Sequence, residues 1–264
     1  MKQYKNIITL SKNGRGIWDL DTVKGCASGL KHNENGCYND CYAFKTAKRY
    51  GIDFSKSVER HFINDIHRKH IVKQIEKIDM PFIRIGCSGD PSENWNHTIN
   101  IIKQIKESSQ LSLFDISSKK QIVIITRHWN ILSDENLETI KKYNICINTS
   151  VSALDNLDLI NNSLNQYKRL KQYCKSVLRV VTCDFNTNNE IGFELSILQN
   201  SLLQNENVID TVFRPSSNNK FVIENIIKTK KMRFVNSIAL VSKNNKKTFL
   251  GKCKNCLEQC GINL

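Results

Sequence analysis

Cys26, Cys37 and Cys41 fall within a Gly- and Asn-rich stretch, residues 25–51, that leads into helical sequence. Cys253, Cys256 and Cys260 crowd the C-terminus as C-x2-C-x3-C. Thiolates are soft ligands, so cysteines grouped at such spacings read as metal sites. A structural zinc site closes with four ligands. Three thiolates on one loop suit an iron–sulfur cluster with one corner open, or a zinc completed from elsewhere. The C-terminal group reads as an auxiliary iron–sulfur cluster or as a zinc staple whose fourth ligand the sequence does not identify. The remaining four of the ten cysteines, Cys87, Cys146, Cys174 and Cys183, stand singly in or beside apolar runs and read as small buried hydrophobes.

The chain of 264 residues, 40% of them hydrophobic, is long enough for one large domain with a sizeable core. No apolar run reaches the ~18 residues of a membrane span, and the polar start MKQYKNIITLSKNG lacks the apolar centre of a signal peptide. The expectation is therefore a cytoplasmic protein with no membrane contact, in which cysteines serve metals instead of disulfides. A net charge of +14 attracts polyanions and makes nucleic acid the natural partner, although the lysines are scattered and not drawn into one stripe. The oligomeric state is not readable.

Positioning such residues takes regular elements, and the hydrophobic pattern alternates between strands and helices with no Pro/Gly/Ser-rich linker. The first strand is expected within Asn6–Leu10 or Ile17–Val23, and helical sequence from Tyr42 and over Val58–Ile78. Strands are expected at PFIRI, Gln121–Thr126, Ile145–Val151, Ser176–Cys183, Val208–Phe213 and Arg233–Val241. Helices are expected at Trp95–Lys106, Asp134–Tyr143, Leu157–Tyr173, Glu190–Leu203 and Phe221–Lys230, with a polar loop at Glu107–Lys120. Strands spaced by single helices imply a parallel sheet. The fold class is α/β: a full or partial (β/α) TIM-type barrel over residues 1–245, with a metal-binding tail at 246–264. Chemistry then belongs at strand ends, at residues 25–41, 87–93, 126–128, 150–155, 183–186 and 214–219.

A cysteine loop after the first strand, SGDP after the second, SVSALDN after the fourth and VLRVVT at the fifth together resemble the radical S-adenosylmethionine superfamily over roughly residues 20–215. That resemblance implies a partial barrel and a [4Fe-4S] cluster on Cys26, Cys37 and Cys41. It implies S-adenosylmethionine held by Ser88, Gly89, Asp90 and Pro91 of the turn and by Ser150, Ser152, Asp155 and Arg179. A nucleic acid or nucleotide-like substrate would complete the site. The spacing differs from the family's usual C-x3-C-x2-C: ten residues separate Cys26 from Cys37 and three separate Cys37 from Cys41. The GC, GC…CYA, SGD order is also similar to phage and plasmid proteins with a three-Cys motif.

A second resemblance is to the tRNA-guanine transglycosylases, in IDTVFRPSSNN followed by CKNC. It implies zinc-supported base exchange on DNA or tRNA, with Asp210 as nucleophile and Asp90 as general acid/base. A third possibility needs no catalysis, a zinc-stabilised nucleic-acid-binding protein. His61, His67 and His70 read as solvated helix residues. Arg127, His128 and Trp129 read as a cation, a titratable ring and a stacking surface, Trp95 as a stacking or rim residue, and Tyr38, Tyr42 and Phe44 as a dry shell around a cluster. Arg214 with Ser216–Asn219 reads as a turn able to receive a phosphate.

Overall fold

The computed structural model describes residues 2–110, 120–214, 219–227, 231–234, 237–240, 242 and 251–264. Seven strands form the main sheet: β1 (Ser11–Lys12), β2 (Trp18–Asp19), β3 (Phe82–Ile85), β4 (Gln121–Thr126), β5 (Cys146–Ser152), β6 (Lys175–Thr182) and β7 (Val208–Val212). Their order across the sheet is their order in the chain. β1 runs antiparallel to β2, and every later neighbour is parallel. The connection from β2 to β3 holds three helices, α1 (Ala27–His32), α2 (Tyr42–Arg49) and α3 (Asp65–Lys77), and each later parallel pair is joined through one longer helix: α4 (Trp95–Gln110), α5 (Asp134–Lys142), α6 (Leu157–Leu170) and α7 (Glu190–Leu203). Four of these crossovers start on a side-chain cap, since Asn64, Ser133, Asn156 and Asn189 each accept a hydrogen bond from a first-turn backbone N–H. Each such cap is worth about 1 kcal/mol.

A sheet wound in one direction carries its right-handed crossovers on one face. Val151, Leu178, Val180 and Val208 pack there against Ile160, Tyr167 and Leu202 of α6 and α7. The alternate residues face the other way, and this second face is polar: Asp19, Arg84, Ser150, Arg179 and Thr211 line a cleft. The chain is α/β, with a mostly parallel sheet. Among the described residues β1 and β7 do not pair, so the sheet is open and the full barrel is not formed. No described helix is long and apolar enough to cross a membrane.

Several expected elements differ. Of the two stretches expected to hold the first strand, Ile17–Val23 contains β2, the first parallel strand, which the short β1 precedes, and Asn6–Leu10 contributes only a bridge from Ile7 to His61. Val58–Ile78 is not one helix. Val58–Glu59 is a strand antiparallel to Val23–Lys24, and α3 begins only after Asn64. The apolar spacing through Phe62 and Ile66 mimics a helical face, yet Ile66 is 80% exposed. His61 therefore precedes the helix. α6 ends at Leu170, three residues early. The helix expected at Phe221–Lys230 is α8 (Lys220–Asn225), followed by Ile226–Ile227 paired antiparallel with Asp184–Phe185. Arg233–Val241 does not join the main sheet: Ser237–Leu240, within it, pairs antiparallel with Lys231–Phe234 in a separate two-stranded sheet. Most of the expected 107–120 loop and most of Ser216–Asn219 lie outside the described residues.

The C-terminal segment returns to the polar face at the start of β5 and β6. Asn148 Nδ2 donates to the Cys260 carbonyl at 3.0 Å, Lys175 Nζ to those of Ile262 and Leu264 at 2.6 and 2.5 Å, and Cys253 N–H to that of Arg15 at 2.9 Å. Gly261, at φ +89°, lies so near Val177 that a Cβ would come within 2.7 Å of its side chain. Cys253, Cys260, Ile262 and Leu264 join the main core here.

Candidate metal and cofactor cleft

The cleft, about 920 Å³, opens where the parallel strands end, and its wall includes Cys26, Cys37 and Cys41. Its foundation is Asp21, two residues beyond β2. The Asp21 carboxylate accepts from the backbone N–H groups of Gly86, Cys87 and Ser88 at 3.1, 2.8 and 3.1 Å. Three donors on one carboxylate fix the chain as it leaves β3. The next residues are pinned to the cysteine loop: Gly25 N–H donates to the Ser88 carbonyl at 3.0 Å, and Gly25 and Gly89 form a parallel bridge. A Cβ on Gly89 would lie 2.6 Å from the carbonyl oxygens of Gly25 and Val23, so only glycine allows this approach.

Asp90 continues the turn, and its carboxylate is fully engaged. Oδ1 accepts from Ser92 N–H at 2.9 Å, Ser92 Oγ at 2.7 Å and Thr126 Oγ1 at 2.8 Å, and Oδ2 from Arg127 N–H at 2.7 Å. Burial raises its pKa and these donors oppose the rise. Asp90 thus ties the end of β3 to the end of β4. Pro91 begins the short helical turn Pro91–Asn94 that Asp90 caps, and it is buried.

The loop carrying the thiols is locked through Tyr38, a residue at φ +59° between Cys37 and Cys41. Arg127 Nη1 donates to the Tyr38 hydroxyl at 2.8 Å with its guanidinium 4.5 Å over the ring, and the same hydroxyl lies 3.1 Å from Ser150 Oγ. Arg127 in turn forms an ion pair with Asp155, which also accepts from Ser152 N–H at 2.7 Å. Burial opposes the guanidinium charge, but Asp155, Tyr38 and Cys37 together hold Arg127 above its ordinary value. Asp155 and Ser152 are buried away from the cleft wall. They position the Arg127–Tyr38 pair. Ser150 and Arg179 are register partners on the cleft face.

Burial pushes all three thiols up, Cys37 to about 12, with Arg127 pulling Cys37 back down. For Cys41 the amides of Ala43 and Phe44 at the start of α2 oppose burial, as a helix N-terminus does for a thiolate. Cys26 Sγ donates to Glu93 Oε1 at 3.4 Å, the oxygen that also accepts from Ser28 N–H at 2.8 Å. A bound cation reverses the cost of burying thiolates. Glycine at positions 25, 36 and 89 leaves the loop no Cβ at its closest approaches, so the donor set and its cradle fit a metal group.

Sequence alone missed several neighbours. Cys87 is no inert core thiol: it lines the cleft and donates to Asp19 Oδ1 at 3.0 Å, and the Tyr42 hydroxyl bonds its carbonyl. Asp19 also pairs with Arg84 at 2.9 Å. The alternation in WDLDT, which sets Asp19 and Asp21 on one face, was the available signal. The cleft wall carries seven cationic side chains against three carboxylates. Four of the cations, Arg15, Arg84, Arg179 and Arg214, are close enough that the charges of the other three oppose that of Arg214.

Other expectations fail. His128 is no titratable ring at the edge: it is wholly buried, 2.9 Å from Thr149 Oγ1, and burial lowers its pKa to about 3. Trp95 is core, its Nε1 donating to the Asn130 carbonyl at 2.7 Å, and Trp129 packs behind the loop beside His32. Asp210 pairs in register with Val180 and shares its helix-packed face, and it does not line the cleft. Comparison of the chain with family models, with curated proteins and with solved structures found no match to any.

Proposed function

We propose that the protein is an iron–sulfur enzyme of radical S-adenosylmethionine type with a partial barrel, acting on an anionic, nucleotide-like or nucleic-acid substrate. The observation that carries this is the Gly25–Gly89 bridge: the SGDP turn is held directly against the first cysteine, inside the cleft that Cys37, Cys41, Ser150 and Arg179 also line. Among the described residues the three thiols are not gathered within 4.8 Å of one another.

Cys26, Cys37 and Cys41 would hold the cluster, and the backbone at 88–90 with Ser150 and Arg179 would hold the cofactor's polar groups. The chemistry such a cluster would supply, when reduced, is the electron for cleavage of the sulfonium of S-adenosylmethionine. Asp21 and Asp90 keep the turn rigid, and Arg127 balances charge beside Cys37. The excess of arginine attracts phosphate on the substrate. Base exchange is less well served, because Asp90 is saturated with donors and Asp210 lies off the cleft. The test is reductive cleavage of S-adenosylmethionine by anaerobically purified protein. Cleavage that disappears in Cys37→Ala supports the proposal, and no cleavage by a cluster-loaded wild type ends it.

A further inference from the structure

Another set of ligand-type side chains lies outside the cleft. Glu59 Oε2 is 3.9 Å from His61 Nε2 and 3.7 Å from His97 Nδ1, and the ligand atoms of the three residues all lie within 4.8 Å of one another. The two rings stand edge to face with centroids 4.7 Å apart. Each inner group is oriented from behind. His97 Nε2 lies 3.0 Å from the Arg60 carbonyl, which only accepts, so Nε2 carries the proton and Nδ1 turns a lone pair toward Glu59. Asn94 Nδ2 donates to Glu59 Oε1 at 2.7 Å and leaves Oε2 to face both rings. An imidazole lone pair set against a carboxylate oxygen is repulsive unless a cation or a proton lies between them.

We propose that Glu59, His61 and His97 bind a divalent transition-metal ion of the zinc class. Two imidazoles and a carboxylate suit such an ion, where calcium or magnesium would take oxygens alone. A histidine whose far nitrogen donates to a carbonyl, and a carboxylate fixed by an amide, are the outer partners such ligands usually have. Bonds of about 2.0–2.1 Å place tetrahedral ligand atoms about 3.3 Å apart. The observed 3.7 and 3.9 Å spacings reach that by a small closure of Glu59 and His61, whose side chains are 42% and 56% exposed. That exposure leaves water access to a fourth position. The ion would tie α4 to Val58–Glu59, the strand paired with Val23–Lys24 just before Cys26. It would thus brace the base of the cysteine loop from outside, whatever the cysteines hold.

The test compares zinc per chain at buffered free zinc in the wild type, His61→Ala and Glu59→Gln, with all cysteines intact. Each variant is expected to hold one equivalent less, with an unchanged unfolding midpoint after chelation. Cobalt in that equivalent is expected to give weak visible bands without thiolate charge transfer. Equal zinc in all three proteins overturns the proposal, as does a lost equivalent bearing a thiolate signature. If a variant fails to fold, the wild type decides. The His61 and His97 ring resonances shift with one added zinc once the cysteine sites are filled, or they follow pH alone and the site is a proton-bridged pair.

Discussion

Replacing Asp155 with Asn tests whether the cysteine loop hangs on a buried ion pair. The Arg127 and Asp155 side chains are 6% and 1% exposed, so the variant keeps the shape and strands a guanidinium out of water. Breaking a buried pair from one side costs about 3–5 kcal/mol, which is roughly a 160- to 4,600-fold change in the folding equilibrium. Arg127 also holds Tyr38, so the loop between Cys37 and Cys41 should loosen as well. Denaturant unfolding of the chelator-stripped protein measures the first effect, and thiol-reagent labelling of Cys37 under native conditions measures the second. Pairing Arg127→Met with Asp155→Leu should restore much of the stability while Cys37 stays fast to label, because Tyr38 has still lost its donor. A loss under about 1 kcal/mol, the size of a surface pair, would refute the reasoning.

Gly89→Ala should cost about 1–3 kcal/mol through overpacking against the Gly25 and Val23 carbonyls and should lower iron loading in the same samples; full loading would contradict the bridge's role. His128 has a folded pKa near 3, below its unfolded value, so its contribution is present above pH 6.5 and is lost as pH falls toward 3. The stability difference between wild type and His128→Asn, a residue that tolerates the φ of +54° there, should shrink by about 1.4 kcal/mol per pH unit in that window. Arg179→Gln should weaken oligonucleotide binding and lower its salt slope by about one, read by polarisation at several salt concentrations; an unchanged slope would place the anion elsewhere.

The strand and helix succession was legible because β4 and its neighbours are apolar runs bounded by clear caps. The sheet's curvature was not, since periodicity carries no information on closure. Val58–Ile78 misled because Phe62 and Ile66 fall at helical spacing by accident, while the Asn64 cap marked the true start. For the site, the cysteine loop and SGDP were visible as motifs, and the structure joins them. What residue type could not reveal was direction. Asp90, Asp155 and Ser152 look like cofactor-binding or acid/base groups by residue type, and in the fold their oxygens hold strand ends together. Asp21, which fixes the turn, was marked only by the alternation in WDLDT, and Cys87, which enters the cleft, carried no motif at all. The partnership of His61 with His97, 36 residues on, is tertiary and has no local signature.

Iron and sulfide content, with the visible spectrum, of protein purified without oxygen bears most directly on the central claim. Wild type is predicted to be brown, with about four irons and four sulfides on the N-terminal loop that disappear in Cys37→Ala while the fold is retained. A colourless protein with zinc at Cys26, Cys37 and Cys41, or iron that is unaffected by Cys37→Ala, would contradict it.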